Sequence, residues 1–241
     1  MSIDNRNNCL SYWFPILESA GVPVPLTTII KADYRDLFDL HDGKRPKTMD
    51  SLVAAIGAAA KKYGVPAFLR TGQGSGKHDW DACCNLTSLD PKAIEKHVGQ
   101  LIMWSSMVDF LGLPFDVWAV REWLSGPVAF VKRDWANMPV RREFRCFVDG
   151  ADVKCVHPYW PLGAFDDIKQ DNADALAKIN VLGDDEAAVR GIASRAGSAL
   201  GGAWSVDVLW TDRGWYLTDC AIAERSFHWP DCTANKDGDT T

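Results

Sequence analysis

The chain has 241 residues, of which 47% are hydrophobic and 24% are charged. This length and apolar content are enough to bury a core, either as one domain or as two lobes that share an interface. The formal net charge of −6 and the pI near 5.3 exclude a general attraction to nucleic acid, so we expect nucleic acid not to be a partner. No apolar run approaches the roughly 20 residues that span a bilayer, which predicts no membrane association and favours a cytoplasmic protein.

The seven cysteines favour a reducing compartment. Their number is odd, and Cys83 and Cys84 form a vicinal pair of a kind that rarely makes a disulfide within itself. Neither Cys-x-x-Cys nor His-x-x-x-His spacing occurs, so the spacing of these residues gives no support to a structural zinc site.

The first half of the chain is predicted to mix helices with short strands. Apolar periodicity indicates a helix over residues 8–20 and a second over 50–63, each followed by a glycine that ends it. Strands are predicted over 26–30 and 67–70. A third helix is expected to begin at Asp90-Pro91, a cap followed by a first-turn proline, and to end near Gly112.

The second half has a different character. Strands are predicted over 115–123, 128–132, 143–148 and 153–157, with Asp149-Gly150 as the turn between the last two. One or two helices follow between residues 172 and 200. A final hairpin is then predicted from 205–210 and 215–219, around Asp212 to Gly214. Strands and helices without regular alternation favour an α+β architecture over a doubly wound parallel sheet.

Residues 71–77, Thr-Gly-Gln-Gly-Ser-Gly-Lys, form the first candidate binding element. The glycines Gly72, Gly74 and Gly76 let the backbone approach a polyphosphate, with Ser75 and Lys77 supplying donors and charge. The Walker pattern is excluded, because threonine stands at its first glycine position and histidine follows the lysine. A flexible surface hairpin explains this segment about as well as phosphate binding does.

Three further segments carry candidate chemistry, each with a plainer explanation. Residues 120–124 contain Arg121, Glu122, Trp123 and Leu124; a strand end of this kind can offer backbone groups to an adenine edge, or can be an ordinary strand end. Strand alternation places Glu143 and Arg145 on one face, as an ion pair or as a phosphate-binding arginine held by a carboxylate.

Asp207 and Asp219 lie on successive strands of the last hairpin. Two facing carboxylates repel one another unless a cation such as Mg²⁺ lies between them, although two separate solvated aspartates are the plainer explanation. Glu224 follows shortly after and could join such a site.

Taken in order, these segments resemble the ATP-grasp superfamily over roughly residues 21–230. Residues 21–28 resemble its lead-in, 68–70 the strand that brings a basic residue to the α-phosphate, and 120–124 the adenine hinge. Residues 142–148, Arg-Glu-Phe-Arg-Cys-Phe-Val, are similar to a strand in a eukaryotic cell-cycle family that assists assembly of a translation initiation factor. They are also similar to short phage and bacterial ATP-grasp proteins, which we regard as the closer relatives. Residues 205–208 and 216–219 look like the two metal-bearing strands.

Two positions depart from the superfamily pattern. Arg70 stands where lysine is usual, and Ala221 stands where an asparagine usually ligates metal. Phosphate binding survives the first change, because guanidinium also pairs with phosphate. The second change removes a ligand, so either Glu224 substitutes for it or a single Mg²⁺ is bound.

The resemblance implies an α+β ATP-grasp fold in which two lobes, residues 1–120 and 121–232, enclose Mg-ATP, with a flexible tail over 233–241. It implies catalytic roles for Lys77 and Arg145, and metal binding by Asp207, Asp219 and Glu224. The nucleotide contacts that it implies are Arg70, Gly72, Gly74, Ser75, Gly76, Lys77, Arg121, Glu122, Trp123, Leu124 and Arg145.

The sequence is compatible with three functions. The first is an ATP-dependent ligase that activates a carboxylate as an acyl phosphate for attack by an amine or a similar nucleophile. Its substrate would be a small molecule or a peptide, bordered by His78, Asp79, His157 and residues 226–229. The second is an ATP-binding adaptor that orders its lobes against a protein partner. The third, a nucleic-acid ligase or kinase, is disfavoured by the net charge.

Overall fold

The computed structural model describes residues 6–108, 114–166, 168–230, 232 and 234. Within them the helices are α1 (Leu10–Ser19), α2 (Tyr34–Leu37), α3 (Met49–Tyr63), α4 (Trp80–Cys83), α5 (Pro91–Val108), α6 (Gln170–Ile179) and α7 (Glu186–Leu200). The predicted end of the third helix near Gly112 lies outside the described residues, as does the predicted tail over 233–241 except for Ala234. No helix in the described part of the chain has the length and apolarity to cross a membrane.

The first sheet contains β1 (Thr27–Lys31), β2 (Ala67–Thr71), β3 (Asn85–Leu86) and β4 (Val117–Arg121), in the spatial order β1-β4-β2-β3. All of its pairings are antiparallel. Helices α3 and α5 pack on this sheet and share a core that includes Ile56, Leu101 and Trp118. The start of α5 follows the predicted cap, because the Asp90 carboxylate accepts a hydrogen bond from Lys92 N at 2.8 Å.

A two-stranded hairpin, β5 (Val128–Lys132) and β6 (Met138–Arg141), links the sheets. Sequence reasoning did not predict β6, whose second residue is Pro139. Proline lacks a backbone donor and is confined to edge strands, which is the environment that a two-stranded hairpin offers. The hairpin packs with α6 around a small third core that contains Trp160.

The second sheet contains β7 (Glu143–Asp149), β8 (Asp152–Pro158), β9 (Ala203–Thr211) and β10 (Gly214–Ile222), in the order β10-β9-β7-β8. Both predicted hairpins are present, with antiparallel pairing of β7 with β8 and of β9 with β10. The turn after β7 uses Gly150 at a φ of 54°, a left-handed conformation that glycine adopts without strain. The predicted α+β class with antiparallel sheets is therefore confirmed.

Helix α1 packs against the second sheet, although it precedes the first sheet in the chain. Its buried face, which includes Leu10, Trp13 and Leu17, shares a core with α7, β9 and β10. The proposed boundary at residue 120 places α1 in the N-terminal lobe. The apolar face of α1 nevertheless packs into the core of β9 and β10, which follow that boundary in the chain. Apolar periodicity defines which face of a helix is buried but not the sheet that covers it.

Candidate functional site

A cavity lies between the first and the second sheet. One part of its wall is apolar and aromatic, and the other part is charged. The apolar part is lined by Phe68, Trp80, Trp123, Leu124, Met138 and Leu209, and the charged part by Arg70, Lys77, Arg121, Glu143 and Asp219. A cavity with these two kinds of wall suits a ligand that has a flat apolar end and an anionic end.

Arg70 and Asp219 join the two sheets across this cavity. Arg70 extends from β2 with only 3% of its surface exposed, and its Nη1 lies 3.0 Å from Asp219 Oδ1 on β10. Its Nε donates to the carbonyl of Thr71. Two nitrogens of the guanidinium therefore have partners within the protein, and the side chain lines the cavity.

Arg121 is a second buried cation beside Arg70. From the end of β4 its Nη1 donates to Thr218 O at 2.6 Å and its Nε donates to Thr27 Oγ1 at 3.3 Å. Its Nη2 is buried and has no hydrogen-bond partner among the described residues. Burial, together with the charge of Arg70, lowers the pKa of Arg121 to about 9. A buried donor without a partner is destabilising, which points to an anion in this part of the cavity.

Lys77 and Glu143 lie next to each other in the cavity wall. Its Nζ lies 3.8 Å from Glu143 Oε2 and 3.7 Å from the centre of the Tyr159 ring. Burial by itself lowers the pKa of Lys77, but the charge of Glu143 and its other acidic neighbours outweighs burial, so the pKa is raised. Burial raises the pKa of Glu143, and Lys77 opposes that effect. The two side chains therefore depend on each other for charge compensation.

The glycine-rich segment is bonded into the fold for part of its length. Gly72 N donates to Val117 O and Gly72 O accepts from Leu10 N, both at 2.7 Å. Gly74 N donates to Thr71 Oγ1 at 3.1 Å. These backbone groups are committed to other partners, whereas Ser75 and Lys77 line the cavity.

Gly76 gives the segment its sharp change of direction before Lys77. Its φ of 62° is left-handed, and a Cβ at this position would approach Cys83 Cβ to 2.8 Å. Glycine is therefore required here both by the backbone conformation and by the close packing.

Arg145 and Asp207 form a bidentate ion pair at the centre of the second sheet. Arg145 Nε and Nη2 donate to the two carboxylate oxygens of Asp207 at 2.8 and 2.9 Å. Asp207 is 5% exposed and stands opposite Arg145 on β7 and opposite Asp219 on β10. The pKa of Arg145 is raised, because its pairing with Asp207 outweighs the opposing effect of burial. The pair is thus adjacent to the cavity but is not among the described residues that line it.

The candidate adenine hinge, residues 120–124, is held in place by contacts with other parts of the protein. Glu122 Oε1 accepts from Leu26 N at 2.9 Å and Oε2 pairs with Arg213 at 2.8 Å, so both carboxylate oxygens have protein partners. Leu124 O accepts from Arg141 Nη1 at 2.6 Å. The Trp123 ring meets the Trp80 ring edge to face, with 5.7 Å between centroids.

The other residues that were predicted to bind metal or to border the substrate do not line the cavity. Glu224 is exposed, on a 3-10 turn after β10, and is not among the described residues that line the cavity. His78 is exposed and stacks on Trp135 with centroids 4.4 Å apart. His157 lies on β8 directly opposite Arg145 on β7, and Phe227 O lies 3.5 Å from Arg145 Nη1. His157 and residues 226–229 are therefore neighbours of the Arg145–Asp207 pair.

Several cavity residues were not predicted. Trp80, Met138 and Trp160 line the cavity from three separate segments, and Tyr159 lies beneath Lys77. Their periodicity is that of ordinary buried apolar residues, so no pattern in the sequence distinguishes them. Glu143 was predicted only as a partner for Arg145, and alternation along β7 correctly placed it on the same face.

No protein-family model matches the sequence, and no curated protein sequence matches it significantly. Solved structures do match. Cdc123 from Schizosaccharomyces pombe aligns with a TM-score of 0.59 at 12% identity, over 91% of this chain and 84% of that one. The RimK domain protein ATP-grasp from Sphaerobacter thermophilus aligns with a TM-score of 0.51 at 16% identity, over 91% of this chain and 60% of that one.

A third structure is N5-carboxyaminoimidazole synthase from Aspergillus clavatus, solved with ADP and 5-aminoimidazole ribonucleotide. It aligns with a TM-score of 0.52 at 12% identity, and the chain spans 89% of its own length but 44% of that protein. At such identities the likeness shows the fold alone. The chain has the ATP-grasp fold, as the resemblance predicted.

Proposed function

We propose that the protein binds Mg-ATP in the cavity between its two sheets. The adenine would lie at the aromatic and apolar wall, against Trp80, Met138 and Leu209, and the triphosphate would lie toward the cations. The observation that carries the proposal is the buried Arg121 Nη2, an unpartnered donor beside Arg70 in a cavity that Lys77 also lines. Polyphosphate oxygens supply the acceptors and the negative charge that this arrangement lacks.

The phosphate contacts are assigned to side chains more than to the glycine backbone. Gly72 and Gly74 use their N–H groups within the fold, so we assign Ser75 and Lys77 to the phosphates from this segment. Likewise Glu122 is bonded through both oxygens, which makes it a positioning residue for the hinge. Leu124 and Trp123 would then form the wall beside the adenine.

Carboxylates near the phosphate end fit a magnesium ion. Asp219 lines the cavity and faces Asp207 across the hairpin, and hard oxygen ligands are what Mg²⁺ prefers. When bound, the metal would neutralise charge on the phosphates and orient them. Both carboxylate oxygens of Asp207 accept from Arg145, so Asp207 would have to share its carboxylate with Arg145 to help hold the metal. Glu224, which is exposed, is not needed for this arrangement.

The reaction that we propose is ATP-dependent ligation. A carboxylate oxygen of the substrate attacks the γ-phosphorus, the bond from that phosphorus to ADP breaks, and an acyl phosphate forms. An amine or similar nucleophile then attacks the acyl carbon, loses a proton and releases inorganic phosphate. Lys77, which lines the cavity, would neutralise the charge that develops on the transferred oxygens, whereas Arg145 would act only from its adjacent pair with Asp207. The solved neighbour that contains ADP supports nucleotide binding by this fold.

A second candidate, an ATP-binding adaptor without turnover, is supported by a specific observation. Ala221 follows Asp219 by two positions, where the superfamily usually provides a metal-binding asparagine, and its methyl group cannot ligate. Asp207, in addition, is held by Arg145. A site with fewer metal ligands would still bind nucleotide and order the two sheets against a protein partner.

A melting scan tests nucleotide binding. ATP, ADP, AMP and GTP are added, each with and without Mg²⁺, to the wild type, to Asp219→Asn and to Asp212→Asn, a matched change on the exposed turn of the same hairpin. We expect adenine nucleotides to stabilise the wild type and Asp212→Asn in a magnesium-dependent way, by about 2.7 kcal/mol at one hundred times the dissociation constant. Asp219→Asn should lose the magnesium-dependent part. Equal shifts for all three proteins would contradict the assignment.

Turnover separates the two candidates. Release of ADP and phosphate is measured with panels of carboxylic acids and amines. Release that requires both an acid and an amine supports the ligase. Magnesium-dependent binding with no release from any combination supports the adaptor.

A further inference from the structure

Two cysteines and two histidines from distant parts of the chain converge at the edge of the second sheet. Cys155 and His157 lie on β8, the outer strand of that sheet, whereas His228 and Cys232 follow β10. One potential ligand atom from each of the four lies within 4.8 Å of the other three. The Cys155 sulfur lies 3.2 Å from His228 Nε2, although 73 positions separate these residues in the chain.

The two imidazole rings are held in place by their surroundings. The His228 ring stacks on Phe147 with 3.8 Å between centroids and 13° between planes. The His157 ring meets the His228 ring at 5.4 Å and 63°. His157 Nε2 is buried and has no hydrogen-bond partner among the described residues. A metal ion bound by the two thiols and two imidazoles would give this buried nitrogen a partner.

The chemistry of the four side chains indicates which metal ion they would bind. Thiolate and imidazole together are typical ligands of zinc, and the described cluster contains no carboxylate that would suit magnesium or calcium. Ligands about 2.0–2.3 Å from a tetrahedral zinc lie about 3.3–3.8 Å from one another, so separations of up to 4.8 Å in the cluster would contract by about 1.0–1.5 Å. A four-ligand set leaves no open position, which is the arrangement of a structural site.

We propose that Cys155, His157, His228 and Cys232 bind one structural zinc ion. Spacing rules do not detect this site, because each pair comes from a different element and only the antiparallel sheet brings them together. Binding converts the two thiols to thiolates and releases their protons to solvent, with no change of oxidation state.

The zinc would fix residues 226–230 and Cys232 against the second sheet. Within this segment Ser226 Oγ hydrogen-bonds with Ser205 Oγ, and Phe227 O lies 3.5 Å from Arg145 Nη1. His157 stands opposite Arg145 in the register of β7 and β8. The metal would therefore hold one wall of the region around the Arg145–Asp207 pair, and its presence can be tested without reference to nucleotide.

The direct test is the metal content of the full chain, purified under reducing conditions from cells grown with zinc, measured by inductively coupled plasma mass spectrometry. We expect one zinc per chain in the wild type and in Cys9→Ser, a matched change of a buried cysteine outside the cluster. Cys155→Ser and Cys232→Ser should each lose most of the metal. His228→Cys should retain it, because thiolate replaces imidazole as a ligand, whereas His228→Ala should not.

Cobalt substitution of the wild type covers the case in which the cysteine variants fail to fold. A tetrahedral site with two thiolates should give strong visible d–d bands and a sulfur-to-cobalt charge-transfer band. A folded wild type that binds neither zinc nor cobalt would overturn the proposal. So would full zinc content in Cys155→Ser, or a Cys155–Cys232 disulfide found by mass spectrometry in the metal-free wild type under the same reducing conditions.

Discussion

The Arg145–Asp207 pair should be the most sensitive charged contact of the second sheet. Its side chains are 19% and 6% exposed, and two hydrogen bonds join them. Asp207→Asn keeps the shape of the side chain but removes the negative charge and one acceptor. Removal of one partner from a buried pair costs about 3–5 kcal/mol, and the remaining amide oxygen returns about 1 kcal/mol of that as a neutral hydrogen bond. We therefore expect a loss of about 2–4 kcal/mol.

For a chain of this length such a loss lowers the melting temperature by about 5–15 °C. The assay is thermal unfolding followed by circular dichroism, with urea titration as a second measurement. Asp134→Asn is the matched control, because Asp134 pairs with Lys132 but is 77% exposed. That variant should have the melting temperature of the wild type, since exposed ion pairs contribute little to stability. Equal melting temperatures for the two variants would refute the reasoning about the buried pair.

Three further predictions concern the cavity and the segment that precedes it. Lys77→Met should weaken ATP binding about 10- to 100-fold by calorimetry, because a charged hydrogen bond is worth about 1.5–3 kcal/mol. Burial raises the pKa of Glu143 above its usual 4.5, so its contribution to stability is present below pH 4.5 and is lost as the pH rises through the folded value. The stability of the wild type relative to Glu143→Gln, measured by urea titration, should therefore fall as the pH rises above 4.5. Gly72→Ala should destabilise the fold by about 1–3 kcal/mol, since its Cβ would lie 2.9 Å from Val117 Cβ. Gly99→Ala is the control: beyond its own helix, no atom of the described chain lies within 4 Å of its Cβ, so this change in a helix should stabilise the fold by up to about 1 kcal/mol.

Each of these expectations has an opposite outcome that decides against it. Unchanged affinity in Lys77→Met would place the phosphates elsewhere. A stability difference that rises with pH for Glu143→Gln would reverse the sign of its pKa shift. Equal effects of the two glycine substitutions would mean that Gly72 is not packed as described.

Local signals in the sequence predicted the second sheet well. Alternation along residues 143–148, with Asp149-Gly150 as the turn, indicated the β7–β8 hairpin, and the structure has it. The same reasoning placed Asp207 and Asp219 on neighbouring strands, and they stand opposite each other. Turns and alternation are local properties, so a single sequence can express them.

What the sequence could not reveal depends on contacts between distant segments. The apolar face of α1 was visible, but its packing on the second sheet was not. The cavity wall formed by Trp80 and Met138 consists of residues whose pattern is that of any core. The cysteine–histidine cluster requires β8 and the segment after β10 to meet, which no spacing within either segment encodes.

The proposed function requires a triphosphate between Lys77 and Asp219. A crystal structure of the protein with Mg²⁺ and a non-hydrolysable ATP analogue would show whether it binds there. We predict that the phosphates contact Lys77, Arg70 and the unpartnered Nη2 of Arg121, with the metal against Asp219 and the adenine against Trp80. An analogue bound outside this cavity, or a cavity that stays empty at saturating nucleotide, would rule out nucleotide binding between these two residues.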